Sequence, residues 1–344
     1  MSDHAEFRAL SYSQAALTLA KKQDTLIVCH ANPDADAIGS AFALKLMLQE
    51  LGMRAHVVCS SGIPKRYRFM TKGIQESALY ENIPADLKDC RIITVDTAAI
   101  NQMGALIEPY GNRVSMMIDH HASGVPYADY LVDRQAAATG EILFDIMRIW
   151  QVNNILIRVP EQVYSLLYAA ISGDTGCFRY QNVTPDTLRR AAMLLEYGVP
   201  CADINYYLFE VKSDKVLRVE HEGFTRLQTV CGGKMSIIKF PYESKVRLGA
   251  ADTDLETLID VARSVEDTYV AAVVKQMSES LRFRVSLRSC VDIDVAKICE
   301  SFGGGGHKRA AGCTMYADHL DMAADRVIEA VEAAIKEYEK THQA

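Results

Sequence analysis

Short apolar runs that end in ionisable residues constrain this chain more than any other feature. Thr25–Cys29 (TLIVC) runs into His30, Arg91–Val95 (RIITV) into Asp96, and Val114–Ile118 (VSMMI) into Asp119, His120 and His121. Ala55–Cys59 (AHVVC) is a fourth run without the charged ending. Each is too short for a helix and apolar on both sides of an extended backbone, so each reads as a strand buried on both faces. Helical patterns lie between them. One covers Ile38–Leu51, one opens at Thr139 as N-cap with Glu141 in its first turn, and one spans Glu161–Ser172. Strands alternating with helices predict an α/β fold, a parallel sheet with helices on both faces.

The pattern changes near Asn205. Residues 206–228 read as a helical linker, charged and periodic. Lys234–Phe240, Thr268–Met277 and Ser280–Leu287 then look like strands, the last two forming a hairpin across Ser278–Glu279. A helix over Asp294–Ser301 runs into four glycines, and a long amphipathic helix closes the chain over Leu320–Lys340. With 344 residues, two domains fit the length. The expected division is 1–205 for the parallel-sheet domain and 229–344 for a smaller α/β domain with a mixed sheet.

Composition removes several function classes. A net charge of -7 gives no broad surface for tracking phosphates, so long duplex nucleic acid is a poor substrate. The nine cysteines are scattered, with no C-x-x-C pair, which argues against a disulfide framework and a structural zinc knuckle. No signal-like segment and no run of about twenty apolar residues is present. A reducing cytoplasm is the expected setting, away from membranes.

In a parallel α/β sheet, ligands bind at the carboxyl ends of the strands. His30, Asp34, Asp36, Asp96, Asp119, His120 and His121 all fall there, and Asp174 sits just past the third helical pattern. Taken singly, an aspartate after a strand is usually a turn residue or a helix cap. Taken together, carboxylates and imidazoles in one crevice repel or desolvate each other unless a cation neutralises them. Oxygen and nitrogen ligands without thiolate suit manganese or magnesium. They exceed what one octahedral ion accepts, and two ions about 3.5–4 Å apart, bridged by one carboxylate, fit better. If the backbone is extended, Asp34 and Asp36 point the same way and serve neighbouring ions. His120 and His121 then point oppositely, one as ligand and one toward substrate.

In the second domain, Gly303–Gly306 with His307 and Lys308 can expose amide N–H groups to an anion, though a flexible turn is an equal reading. The stretch is not a G-x-x-x-x-G-K-[ST] loop, so no triphosphate cradle is indicated. Arg284, Ser286 and Arg288 alternate along a strand and offer donors suited to phosphate. Trp150, Phe178 and Tyr180 read as packing residues.

These motifs resemble a known family. HANPDADAIGS (His30–Ser40), VDTA (Val95–Ala98), IDHH (Ile118–His121) and SGDTGCF (Ser172–Phe178) are similar to the four motifs of the DHH phosphoesterases. FGGGGHKRAAG (Phe302–Gly312), with SLRS before it, resembles the DHHA1 substrate-binding domain. The resemblance covers nearly the whole chain, and its size matches the stand-alone nanoRNase/pAp phosphatase branch. It implies a DHH domain and a DHHA1 domain across a cleft. It further implies one ion on His30, Asp34 and Asp96, and a second on Asp36, Asp96, His120 and Asp174. Asp119 would orient the neighbouring histidine, and His121 would touch the scissile phosphate. Arg288, Ser289, Gly305, Gly306 and His307 would grip the rest of the substrate. The ions would be Mn2+, with Mg2+ or Co2+ acceptable. The implied activity is hydrolysis of short oligoribonucleotides or 3′-phosphoadenosine 5′-phosphate (pAp) to mononucleotides by two-metal hydroxide attack. Cyclic di-AMP and pApA are alternative substrates, and a non-catalytic nucleotide-binding module is the alternative of another class. A homodimer is compatible with this reading.

Overall fold

The structure is a computed structural model that describes residues 7–74, 90–121, 124–278 and 281–342. It divides into two compact units, Met1–Val211 and Lys212–Ala344.

In the first unit the helices are α1 (Tyr12–Leu19), α2 (Ala35–Glu50), α3 (Ile107–Tyr110), α4 (Thr139–Val152), α5 (Glu161–Asp174), α6 (Pro185–Glu196) and α7 (Cys201–Asn205). The strands are β1 (Thr25–Val28), β2 (Ala55–Val58), β3 (Arg91–Val95), β4 (Val114–Asp119) and β5 (Asp129–Val132). They form one sheet in the order β2-β1-β3-β4-β5, every pair parallel. The four apolar runs all lie in it. β5 escapes sequence reading because only Leu131 of its four residues is buried, so the edge strand shows no apolar run.

Alternate residues of the inner strands serve different cores, as a doubly covered sheet requires. Ile27, Ile93 and Ile118 join the cluster under α2, α4 and α5, whereas Leu26, Val28 and Ile92 pack with Met103, Leu106 and Tyr110 on the other face. Trp150 is fully buried and donates its indole N–H to the Ala16 carbonyl at 2.9 Å, which ties α4 to α1. Two glycines let the helices over the first core meet closely. A Cβ on Gly39 would lie 2.5 Å from the Leu166 carbonyl oxygen, and one on Gly140 would lie 2.6 Å from Ala170 Cβ. Any side chain there would push α2 or α4 away from α5.

Strand order decides where a ligand can sit. The chain leaves β1 toward β2, then crosses to β3 and continues the other way. A crevice at the carboxyl ends of β1 and β3 is therefore the topological switch point, where open α/β sheets bind ligands.

The second unit contains α8 (Asp214–Arg226), α9 (Tyr242–Leu248), α10 (Leu258–Arg263), α11 (Val295–Glu300) and α12 (Leu320–His342). Its strands are β6 (Leu227–Val230), β7 (Met235–Phe240), β8 (Val270–Gln276), β9 (Arg282–Ser289), β10 (Gly305–His307) and β11 (Ala310–Tyr316). The sheet order is β10-β11-β9-β8-β7-β6, with β7 and β8 parallel and the other pairs antiparallel. This is the mixed sheet the sequence predicts. β8 and β9 pair from Val270–Ser289 to Gln276–Phe283, while Glu279 of the expected hairpin turn lies outside the described residues. One face packs under α11 and α12, and part of the other under α8 and α10.

The glycine run is ordered rather than loose. The Gly303 and Gly304 amides donate to the Glu300 and Cys299 carbonyls at 2.9 and 2.8 Å and so close α11. Gly305 and Gly306 belong to β10.

Candidate metal centre

The ionisable residues at the carboxyl ends of β1, β3 and β4 do converge, but by routes that strand geometry alone did not predict. Asp34 is the N-cap of α2, accepting the Ala37 amide at 3.0 Å, and Asp36 lies in that helix's first turn. The pair is thus placed by a helix start and not by the pleat of an extended segment. They serve different neighbours: Asp34 lies with His30 and Asp96, Asp36 with His120 and Asp174. The opposite-pointing arrangement expected for His120 and His121 also fails. β4 ends at Asp119, so the backbone is no longer extended, and the two rings lie 4.6 Å apart at 54°.

Asp96 joins the groups. It clusters with His30 and Asp34 on one side and with His120 and His121 on the other. Its Oδ2 is 3.6 Å from His30 Nε2, and its Oδ1 is 3.7 Å from His120 Nε2. It also adopts a left-handed backbone, with φ of 52° immediately after β3. That conformation is uncommon outside glycine, though aspartate and asparagine tolerate it best, and it gathers at functional sites.

Several contacts fix the ligand atoms. His120 Nδ1 faces the Ala136 carbonyl at 3.3 Å, which selects the tautomer with a bare Nε2. That Nε2 is buried without a hydrogen-bond partner among the described residues. It lies 3.1 Å from Asp174 Oδ2, off the line of a hydrogen bond, and 3.8 Å from Asp36 Oδ2. A buried lone pair facing three carboxylates lacks only a cation. The residues therefore fit a divalent ion with oxygen and imidazole ligands.

The N-terminus of α4 supports this cluster in a way the sequence reading missed. Thr139 is not the N-cap, which is Ala138. Its amide and that of Gly140 donate to the Asp36 carboxylate at 2.6 and 2.9 Å. Ser40 adds its hydroxyl at 2.9 Å. The Thr139 hydroxyl donates to Asp96 Oδ1 at 3.2 Å. No local pattern could reveal contacts spanning 43 to 104 residues. Removing the hydroxyl in Thr139→Val leaves Asp96 free to turn, and we expect a manganese Kd about 10- to 100-fold weaker by calorimetry. Unchanged affinity would show that the hydroxyl is incidental.

Charges shift as this crowding requires. Burial works against the cationic form of His30, yet hydrogen bonds to Asp34 and Asp96 outweigh it and raise its pKa to about 10. His120 is likewise opposed by burial but is carried to about 11 by Asp174, Asp36 and Asp96. Burial, with Asp34 and Asp96 nearby, lifts Asp174 to about 6. Its place at the carboxyl end of α5, where the helix dipole is negative, adds to that burden. Burial and the charges of Asp96 and Asp174 push Asp36 well up. Asp119 is 1% exposed and accepts His121 Nδ1 at 2.7 Å and the His120 amide at 2.8 Å, so it sets the His121 ring.

The residues expected to hold the far end of a substrate lie in the second unit. Arg288, Ala310 and His307 are register neighbours across β9, β11 and β10, so Arg288 and His307 share one face. Gly305 lies on the same face opposite Gly312, and nothing stands within 4 Å of where its Cβ would be. Gly306 must be glycine, because a Cβ would lie 2.6 Å from the Ala310 carbonyl. Ser289 faces the other way, with its hydroxyl donated to the Val291 carbonyl at 2.6 Å. Phe178 packs into the core beside Tyr168, as expected.

Comparison with known proteins agrees with this geometry. Residues 24–171 match the DHH family, N-terminal domain, and residues 241–337 match the DHHA1 domain. A bifunctional oligoribonuclease and PAP phosphatase NrnA from Thermus thermophilus is 29% identical over 89% of this chain and 88% of its own length. The protein of that name from Bacillus subtilis is 26% identical, over 92% and 96%. Among solved structures, an exopolyphosphatase-related protein from Bacteroides fragilis superimposes with a TM-score of 0.83 at 19% identity, covering 97% of this chain and 98% of that one. RecJ from Thermus thermophilus in complex with Mn2+ shares the fold at a TM-score of 0.53 and 16% identity, covering 96% of this chain and 56% of that one. With both family domains present in order around a carboxylate–imidazole cluster, the chain belongs to the DHH/DHHA1 family of metal-dependent phosphoesterases.

Proposed function

We propose that this enzyme hydrolyses short oligoribonucleotides and pAp to mononucleotides, using two divalent ions, most suitably Mn2+, with Mg2+ or Co2+ able to substitute. The observation that carries the reading is the bare, buried Nε2 of His120 facing three carboxylates, with a second cluster joined to it through Asp96. The relatives named as oligoribonuclease and PAP phosphatase support the choice of substrate. His30, Asp34 and Asp96 would hold one ion, and Asp36, Asp96, His120 and Asp174 the other. Such ions lower the pKa of water and neutralise charge on phosphoryl oxygens.

The chain's own groups account for the rest. Asp119 fixes His121 by accepting its Nδ1–H. Burial opposes the imidazolium, but Asp119 and the charge of Asp96 raise its pKa above the ordinary histidine value. His121 thereby keeps a proton at Nε2 for a phosphoryl or leaving oxygen. We assign residues 1–205 the catalytic role, 206–228 a helical connection and 229–344 the substrate-binding role. Arg288, His307 and the Gly305 and Gly306 backbone would grip the remainder of the substrate, with Ser289 fixing the end of the strand that carries Arg288. A cytoplasmic setting suits nine free cysteines. No helix among the described residues is long and apolar enough to cross a membrane.

The test is a comparison of rates, with manganese added, on pAp, pApA, cyclic di-AMP and RNA of increasing length. We expect pAp and RNA of a few nucleotides to be fastest, with a steep fall for longer strands. Fastest turnover of cyclic di-AMP or pApA would move the enzyme to that substrate class. Binding without turnover of any of them would make it a regulatory module. Light scattering in the same buffer decides whether it is a homodimer.

A further inference from the structure

One cation in the second unit takes no part in the proposed chemistry. Lys275 is only 6% exposed, at the end of a strand whose other buried residues are all apolar (VAAVVKQ). Among the described residues its ammonium makes no hydrogen bond and no ion pair. A buried, unpaired lysine is costly to the fold, and an apolar residue of similar size would serve packing better.

Register places other donors beside it. Lys275 lies opposite Arg284 on β9, and the next pair on the same face is Val273 with Ser286. The Arg284 guanidinium and the Ser286 hydroxyl also lack hydrogen bonds and ion pairs among the described residues. The same face continues to Arg288 and, across β11, to Gly312 and His307. Three uncommitted donors of different reach thus sit side by side. Burial, then the charge of Arg284, brings the Lys275 pKa down to about 8, against the pull of Glu256 and Asp252. Asp252 is itself engaged by Lys245, so cations prevail around Lys275.

We infer that Lys275, Arg284 and Ser286 form a subsite for a phosphate group of the nucleotide other than the one hydrolysed. A tetrahedral oxyanion can accept from an ammonium, a planar guanidinium fork and a hydroxyl at once, which a flat apolar or cationic ligand cannot. Lys275 is then a specificity-determining residue that favours substrates carrying a second phosphate. The inference rests on the proposed nucleotide substrate, but its test does not depend on turnover.

The full-length protein is titrated with pAp in EDTA by calorimetry, so no hydrolysis occurs and the metal centre plays no part. Adenosine 5′-monophosphate, with one phosphate fewer, is the comparison ligand. Wild type should prefer pAp. Lys275→Gln should weaken pAp binding about tenfold or more, the loss expected for one charge-assisted contact. Lys275→Arg should bind within about threefold of wild type. Lys275→Met should melt at or above the wild-type temperature while losing pAp affinity, because the lysine is held there against stability. Equal pAp affinity in wild type and Lys275→Gln, no pAp binding by wild type in EDTA, or a Lys275→Met protein that melts several degrees lower would each overturn the subsite. Failure of the phosphoesterase reading would show separately, as absent manganese-dependent turnover of bis(p-nitrophenyl) phosphate by wild type.

Discussion

Asp96→Asn lowers kcat on pAp by at least about 10³-fold while leaving the thermal melt of the EDTA-treated protein near wild type. The reason is position. Asp96 alone faces His30 from one oxygen and His120 from the other, so it is the carboxylate that both ligand groups share. Losing its charge weakens both ion sites together, and loss of a shared charge in a water-poor site removes several kcal/mol of transition-state stabilisation. Asparagine keeps the shape and tolerates the left-handed backbone that Asp96 adopts, so the fold is not the casualty. Measured on the purified variant with saturating manganese, a kcat within tenfold of wild type would sink the shared-carboxylate assignment.

The second large effect concerns metal, pH and stability together. Without an ion, His30 and His120 hold protons with pKa values of about 10 and about 11, above the ordinary histidine value. A folded-state pKa raised in this way gives stability that is complete below pH about 6.5 and is lost as pH rises through the folded value. Asp174, raised to about 6, acts in the same direction at lower pH, since its ionisation above that value disfavours the fold. Metal-stripped protein should therefore melt lower at pH 9 than at pH 6.5, by an amount on the order of a few kcal/mol. Manganese should reverse the trend. Binding expels the two imidazole protons, so affinity rises with pH, and at about 1,000 times Kd the ion adds about 4 kcal/mol, a shift on the order of 10 °C. Differential scanning calorimetry with and without EDTA across that range checks both signs. A melt that ignores manganese, or an EDTA form that grows more stable up to pH 9, would contradict a carboxylate–imidazole cluster awaiting a cation.

Much of this was legible in the chain itself. The apolar runs at Thr25–Cys29, Ala55–Cys59, Arg91–Val95 and Val114–Ile118 specify buried strands because a strand covered on both faces cannot afford polar residues on either. Their charged endings had to fall at one edge of a parallel sheet, since parallel strands all finish on the same side. The ligand types, and hence a hard divalent ion, follow from residue identity alone.

Other features needed the assembled molecule. Whether Asp34 and Asp36 met through a pleat or a helix start depended on where α2 began, and its close contact with α5 at Gly39 belongs to that packing. Thr139 looked like a cap, yet its hydroxyl serves Asp96, 43 residues away. The four glycines divided into two that close α11 and two that enter β10 only once β11 lay beside them. Lys275 is one lysine among many in the sequence and stands out only by its burial beside Arg284. Periodicity and residue chemistry are properties of neighbours along the chain, so the sequence carries them openly. Hydrogen-bond partners and desolvation are properties of neighbours in space, and only tertiary packing decides which these are.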